Sequence, residues 1–308
     1  MAASITVVLA ALMLSVTTVA LRTWQRTQDA SAMAMQAKLA LDLLERDLQA
    51  AIQRNDDSGN TWLAVDVIND PSALAKHGWL TASQMKPITG ESTRLVPVSP
   101  DGAPRLIDAR FGLSGVWLRL MTATTETTSD AGVPHAVAYQ IARRPVSGPV
   151  SAGNPAAVRY TLFRTCLSGA ATFANGNDLA AAAYKALANP GTSADPLATD
   201  VVDFGVWLYV RDGSGALRRI FPADNADLNY GAVDTNAGGV GKPGPAVGDV
   251  MVRILTGEGV RLLEAMEKSS SPVVRPENYS DDAMWWWSVV EANSRVFVRR
   301  IEIRGAGW

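Results

Sequence analysis

Hydrophobic and polar positions divide the first part of the chain into two regimes. Met1 to Leu21 holds no charged side chain, and neither glycine nor proline occurs before Gly59. From residue 22 onward charges appear, and Met33, Ala37, Leu41, Leu44, Leu48 and Ile52 recur at steps of three or four, which is a helical stripe. With no punctuating residue between the two regimes, the pattern predicts one continuous helix of roughly 50 residues, about 75–80 Å long at 1.5 Å per residue. Its half over 1–21 is apolar all round and, at about 30 Å, matches a bilayer core. Its half over 22–54 is amphipathic, with Lys38–Asp42 and Asp42–Arg46 as i,i+4 pairs on the wet side, each worth a few tenths of a kcal/mol. "NDDSGN" at 55–60 predicts the stop.

Beyond residue 60 the period shortens toward two. Strands are expected in "GVWLRLM" (115–121), "AVAYQIARR" (136–144) and "AAVRYTLFRT" (156–165). "VVDFGVWLYV" (201–210) sets Phe204, Val206, Leu208 and Val210 against Asp203, Gly205, Trp207 and Tyr209. "RDGSG" and "ALRRIF" come next, which reads as a hairpin. "DVMVRIL" (249–255) is a further strand, leading into a helix in "EGVRLLEAMEK" (258–268). In the closing "SRVFVRRIEIR" (294–304), Val296 and Val298 share one parity while Ile301 and Ile303 share the other, which predicts a bulge near Arg299–Arg300. Short helices are expected in "SALAKHGWL" (72–80) and "NDLAAAAYKALAN" (177–189), and Gly/Pro/Ser-rich loops at 145–155 and 236–248. The fold class is therefore α+β: a long N-terminal helix packed on a mainly antiparallel sheet, with a globular head over 60–308 carrying small inserted helices.

Composition removes several functions. The 28 Lys+Arg and 30 Asp+Glu leave a net charge of −2, which argues against a nucleic-acid partner. One cysteine, Cys166, allows no internal disulfide and no thiolate metal cluster; it reads as a small buried hydrophobe. Two isolated histidines, His77 and His135, supply neither a zinc site nor a Ser-His-Asp triad.

Local motifs are weak. "GVGKPG" (239–244) has G-x-G-x-x-G spacing, but Pro243 and Pro245 block the helix a nucleotide site needs. "DLNYGAVD" (227–234) places Asp227, Asn229 and Asp234 around Gly231. It is a partial calcium-loop pattern, better read as a solvated Asx-rich turn. Ser83 and Lys86 have S-x-x-K spacing with no companion motif. Asp56–Asp57 and Asp281–Asp282 read as solvated caps. Trp285, Trp286 and Trp287 are consecutive, so they cannot share one face; two are expected in the core and one at the surface, against the alternative of an exposed aromatic contact patch. No catalytic, cofactor-binding or metal residues are assigned, and an enzyme is not expected.

Three readings compete for 1–54. A signal peptide has a small-x-small site in Thr18-x-Ala20 but lacks a basic n-region. A plain single-pass anchor fits the length but leaves the amphipathic continuation unexplained. A two-part helix explains both, with one half in a membrane or helical bundle and the other on the protein's own sheet.

That two-part layout resembles type IV pilin-like proteins, the pilins and the pseudopilins of type II secretion. "LALDLLERDLQAAIQ" (39–53), "VVDFGVWLYVRDGSGALRRIF" and "RVFVRRIEIRG" resemble large minor members of the PilW- and GspJ-like kind, and the pilin-like Verru_Chthon cassette protein C group. The resemblance implies a structural minor subunit of a pilus or pseudopilus, single-pass in the inner membrane before assembly, with its head in the periplasm or in a surface filament. It implies other subunits and membrane lipid as partners through the N-terminal helix, and no cofactor. The alternative is a membrane-anchored or secreted envelope binding protein with a Trp-rich β domain.

The family's basic leader and Phe-Thr-Leu-x-Glu start do not appear, and the first glutamate is Glu45. In the family that early Glu neutralises a neighbour's amino terminus during assembly. "MAASITVVLAALML" fits the family's stretch immediately after that Glu, with Met1 as the sixth residue of a mature pilin. The expectation is that the leader and Glu are encoded just upstream, with prepilin peptidase processing and N-terminal methylation. Arg22 and Arg26, with no basic residue before them, would otherwise orient the segment backwards. In-frame codons upstream of Met1 test this.

Overall fold

A computed structural model of the chain describes residues 2–53, 59–67, 95–97, 99–112, 115–123, 133–143, 160–187, 195–223, 229–233, 244–267 and 273–303, with α1 side chains described from Ala10 onward, Arg22 excepted. Helix α1 runs unbroken over Ala2–Gln49. Met33, Ala37, Ala40, Leu41, Leu44 and Leu48 are buried along one side, as the stripe predicts.

The helix ends at Gln49 rather than at 54, because the sheet captures the backbone. Ala51 bridges Thr122, the Ile52 N–H donates to the Met121 carbonyl at 2.8 Å, and the Ala123 N–H donates to the Ala50 carbonyl at 3.0 Å. Ile52 thereby leaves the stripe and packs beside Ala64, Met121 and Ala136. The expected stop at 55–60 falls mostly outside the described residues.

The strands are β1 (Thr61–Val67), β2 (Val116–Thr122), β3 (His135–Arg143), β4 (Tyr160–Cys166), β5 (Asp195–Thr199), β6 (Val201–Arg211), β7 (Leu217–Phe221), β8 (Asn229–Val233), β9 (Val247–Leu255) and β10 (Ser294–Glu302). They form two antiparallel sheets, ordered β5-β4-β3-β2-β1-β8 and β10-β9-β6-β7. The sheets meet through β6, which packs against β2, β3 and β4, and α1 lies against β2 and β5 of one sheet and β9 and β10 of the other. Short helices α2 (Gly169–Ala174) and α3 (Ala182–Leu187) belong to the segment that covers the outer face of the larger sheet, where Leu179 and Tyr184 pack on Ala64, Met121 and Ala136. Helices α4 (Gly257–Glu267) and α5 (Asp282–Ala292) pack on each other, and on β9 and β10 respectively.

The bulge expected in the last strand is absent. Pairing of β10 with β9 runs unbroken from Ser294↔Leu255 to Glu302↔Val247. Arg299 is the reason: it takes an inward-parity position because carboxylates of α1 wait there, and Val298 on the other parity is left exposed. "DLNYGAVD" is no turn over Asn229–Val233, which pairs with β1 as an edge strand; Asp227 and Asp234 lie outside the described residues.

Candidate functional site

The features that set this head apart lie where α1 enters it. Asp47 falls three residues after Leu44 and one before Leu48, so helical spacing carries its carboxylate onto the buried side. Beneath it, Tyr139 of β3 and Arg164 of β4 are directly paired and stand on the same face of the sheet. The Tyr139 hydroxyl donates to Asp47 Oδ2. Arg164 Nε donates to the same oxygen at 2.7 Å and to the Tyr139 hydroxyl oxygen at 3.2 Å. Asp47 is wholly buried and Arg164 nearly so, so each supplies the countercharge that burial of the other demands. Burial, and then the Asp47 charge, push the Tyr139 phenol well above its ordinary range. Burial alone would lower Arg164, but the hydrogen bond to Asp47 and the Asp47 charge, with smaller help from Tyr139 and Cys166, together outweigh it and raise the guanidinium.

The other sheet is tied to the same helix by Arg299, which donates to Asp42 and, at 2.8 Å, to Glu45. Asp42 also accepts from Lys38 at 2.6 Å; hydrogen bonds from Lys38 and Arg299 hold its carboxyl below the usual range. The expected Lys38–Asp42 pair is present, and Asp42's further partner is Arg299 of the sheet. Both sheets are thus fixed to the last three turns of α1 by carboxylates of the helix.

Two further buried ionic groups stiffen the head. Asp203 on β6 accepts from the backbone N–H groups of Phe111 and Gly112 at 3.0 and 3.1 Å, with Arg253 at 3.9 Å. Burial pushes its pKa up to about 7 against these partners. The Phe111 ring lies over Gly205, where a Cβ would come within 2.1 Å of it. On the outer face Arg119 stacks 3.7 Å over Trp117, pairs with Asp66 and donates to the Leu179 carbonyl at 2.7 Å. Burial lowers its pKa.

Away from the head, α1 presents Leu12, Met13, Leu14, Val16, Val19, Leu21 and Trp24 to the outside, Met13 and Leu14 above 70% exposure at 73% and 72%. No helix, over the described residues, is long and apolar enough to cross a membrane.

The tryptophan run behaves as expected. Trp286 and Trp287 are buried in edge-to-face contact, 5.1 Å between ring centres, and Trp285 is half-buried. Trp62, Trp117 and Trp207 are also core residues. Asp281 is the N-cap of α5, accepting from the Met284 N–H at 2.7 Å, and Asp282 pairs with Arg275. Cys166, at the end of β4, packs against the core as a small hydrophobe but is half-buried rather than buried. His135 is buried, with Nδ1 2.8 Å from the Leu167 carbonyl. His77, Ser83, Lys86, Asp56, Asp57 and residues 239–243 lie outside the described residues. Among the described residues no group of three or more His, Cys, Asp or Glu is placed to hold a metal ion. Sequence reasoning passed over Asp47 as a buried group; the signal was its i+3 spacing from Leu44.

The fold and junction define an α+β protein whose long helix is half embedded in a two-sheet head and half free of it. No family model, no curated protein and no solved structure matches the chain.

Proposed function

We propose that this chain is a structural minor subunit of a filament of the type IV pilus or type II secretion pseudopilus kind, anchored in the inner membrane before assembly. The observation that carries the reading is the division of α1. One uninterrupted helix has its second half built into the head core, and its first half extends the same rod with apolar side chains outward. A globular domain gains nothing from exposing that surface to water; at about 25 cal/mol per Å² the exposure is costly unless lipid or other apolar helices cover it. In the sequence the uncharged stretch continues from Leu21 back to Met1. Movement of this half-helix from lipid into a bundle of sister helices keeps it away from water throughout. Its partners are then other subunits, inner-membrane lipid and, where a leader is encoded upstream, prepilin peptidase.

Cell fractionation with N-terminal sequencing tests the reading. Retention of residues 1–21 in the membrane fraction or in sheared fibres is the expected result. Cleavage after Ala20 with release of soluble protein would replace it with the envelope binding protein, a reading that the burial of Trp62, Trp117, Trp207, Trp286 and Trp287 does not favour.

A further inference from the structure

Among the described residues four strands lie at sheet edges: β5 and β8 in the larger sheet, β10 and β7 in the smaller. An edge strand offers its backbone N–H and C=O groups to any other strand, and proteins blunt such edges with short strands, proline or bulges. Three of the four are blunted. Strands β5, β7 and β8 have five residues each and pair with their neighbours through a register shift. β5 carries Pro196 as well. β10 differs from them all, running nine residues without glycine or proline and in unbroken register. Its free side can be read from the ladder. The Ile303 N–H donates to the Ala246 carbonyl at 2.9 Å and the Asn293 carbonyl accepts from Thr256 at 2.8 Å. Antiparallel bonding alternates, so odd-numbered residues of β10 spend their backbone groups on β9. Ser294, Val296, Val298, Arg300 and Glu302 turn theirs away from it, and these find no partner among the described residues.

We propose that β10 pairs edge to edge, antiparallel, with β10 of a second copy of this chain, joining the two smaller sheets into one. The strand is self-complementary in a single register. Centred on Val298, the full length of both strands overlaps and the outward N–H and C=O groups of the five even-numbered residues all meet the copy. Ser294 then faces Glu302, Val296 faces Arg300, Phe297 faces Arg299 and Arg295 faces Ile301, so no like charges stand opposite. With the centre one residue to either side, Arg295 meets Arg299, or Arg299 meets its own copy. Val298, exposed at 41% in the single chain, lies against itself at the middle of the pair and leaves water there. Charges that would hold a copy away are already engaged within the chain: Arg299 with Asp42 and Glu45, Arg300 with Asp249, and Glu302 with Arg211. A two-fold pair of this kind closes on itself and cannot propagate a filament. On the filament reading it belongs to the subunit before assembly.

The test is sedimentation equilibrium of the full chain in neutral detergent micelles, which keep the apolar half of α1 covered. A concentration-dependent monomer–dimer equilibrium is expected. Val298→Pro removes an N–H that β9 does not use, so it should leave the head's melting unchanged and weaken the dimer by about 30-fold, from the two backbone bonds lost per pair. Val298→Lys keeps the N–H and sets like charges opposite each other; it should weaken the dimer too, which keeps the test sound if the proline variant does not fold. Register is read by cross-linking, with Cys166→Ser to remove the native thiol. Val298→Cys should give a covalent dimer on mild oxidation, while Arg295→Cys, whose opposite number is Ile301, should not. A monomer at every concentration overturns the proposal. So does a dimer that neither Val298→Pro nor Val298→Lys weakens, since α1 or another surface then holds it, and so does cross-linking as strong through position 295 as through 298. None of these results bears on whether residues 1–21 are retained in the membrane, so the anchored reading is tested separately.

Discussion

Asp47 accepts from Tyr139 and Arg164 with no exposure of its own, so truncating it strands a buried guanidinium. Asp47→Ala should destabilise the protein by about 3–5 kcal/mol in denaturant titration. Tyr139→Phe, which removes one donor and leaves the ion pair, should cost about 1–2 kcal/mol. A loss for Asp47→Ala no larger than for Tyr139→Phe would contradict the central place given to that carboxylate. Asp203 makes a different prediction. Its folded pKa is raised from 3.8 to about 7, so between these values the folded state holds a proton that the unfolded state has released. Stability from this group is full below about pH 4 and is lost as pH climbs toward 7. Asp203→Asn keeps an acceptor for the Phe111 and Gly112 N–H groups and removes the titration. Thermal melts across pH 4–7 should therefore fall more steeply for the native chain than for the variant.

Among the elements, α1 has two halves with opposite sensitivities. Leu44 is completely buried, and Leu44→Ala should cost about 2–5 kcal/mol of head stability. Leu14 is 72% exposed, and Leu14→Ala should leave the melting of the head unchanged. Strands β2, β3, β4, β6 and β9 and helix α4 were legible because their apolar runs are long and bounded by turn residues. Strands β1, β5 and β8 were not. β5 carries Pro196, tolerated because β5 is a sheet edge. β8 carries Asn229 and Gly231, turn-like residues that pair with β1 only once β1 is in place. β1 itself is buried on both faces, which erases the alternation that marks a half-buried strand. The phase slip in β10 suggested a bulge because parity alone says nothing about Arg299 finding carboxylates on α1.

The whole molecule depends on one rod being shared between the head and its surroundings. Leu12→Asp, near the middle of the 1–21 stretch, should leave the head's melting temperature unchanged and deplete the membrane fraction, since a carboxylate at mid-bilayer costs about 2.5–3.5 kcal/mol. An undiminished membrane fraction would separate retention from this helix. The sequence by itself determined the rod, its apolar and striped halves, the α+β class and the burial of two tryptophans in a run of three. Those features come from periodicity, which is local and survives without partners. Only the tertiary structure decided where the helix ends, how the strands divide into two sheets, and that Asp47 is the buried link between helix and sheet. Each of these depends on groups far apart in the chain, and a contact made across 92 or 117 residues leaves no periodic trace in either segment.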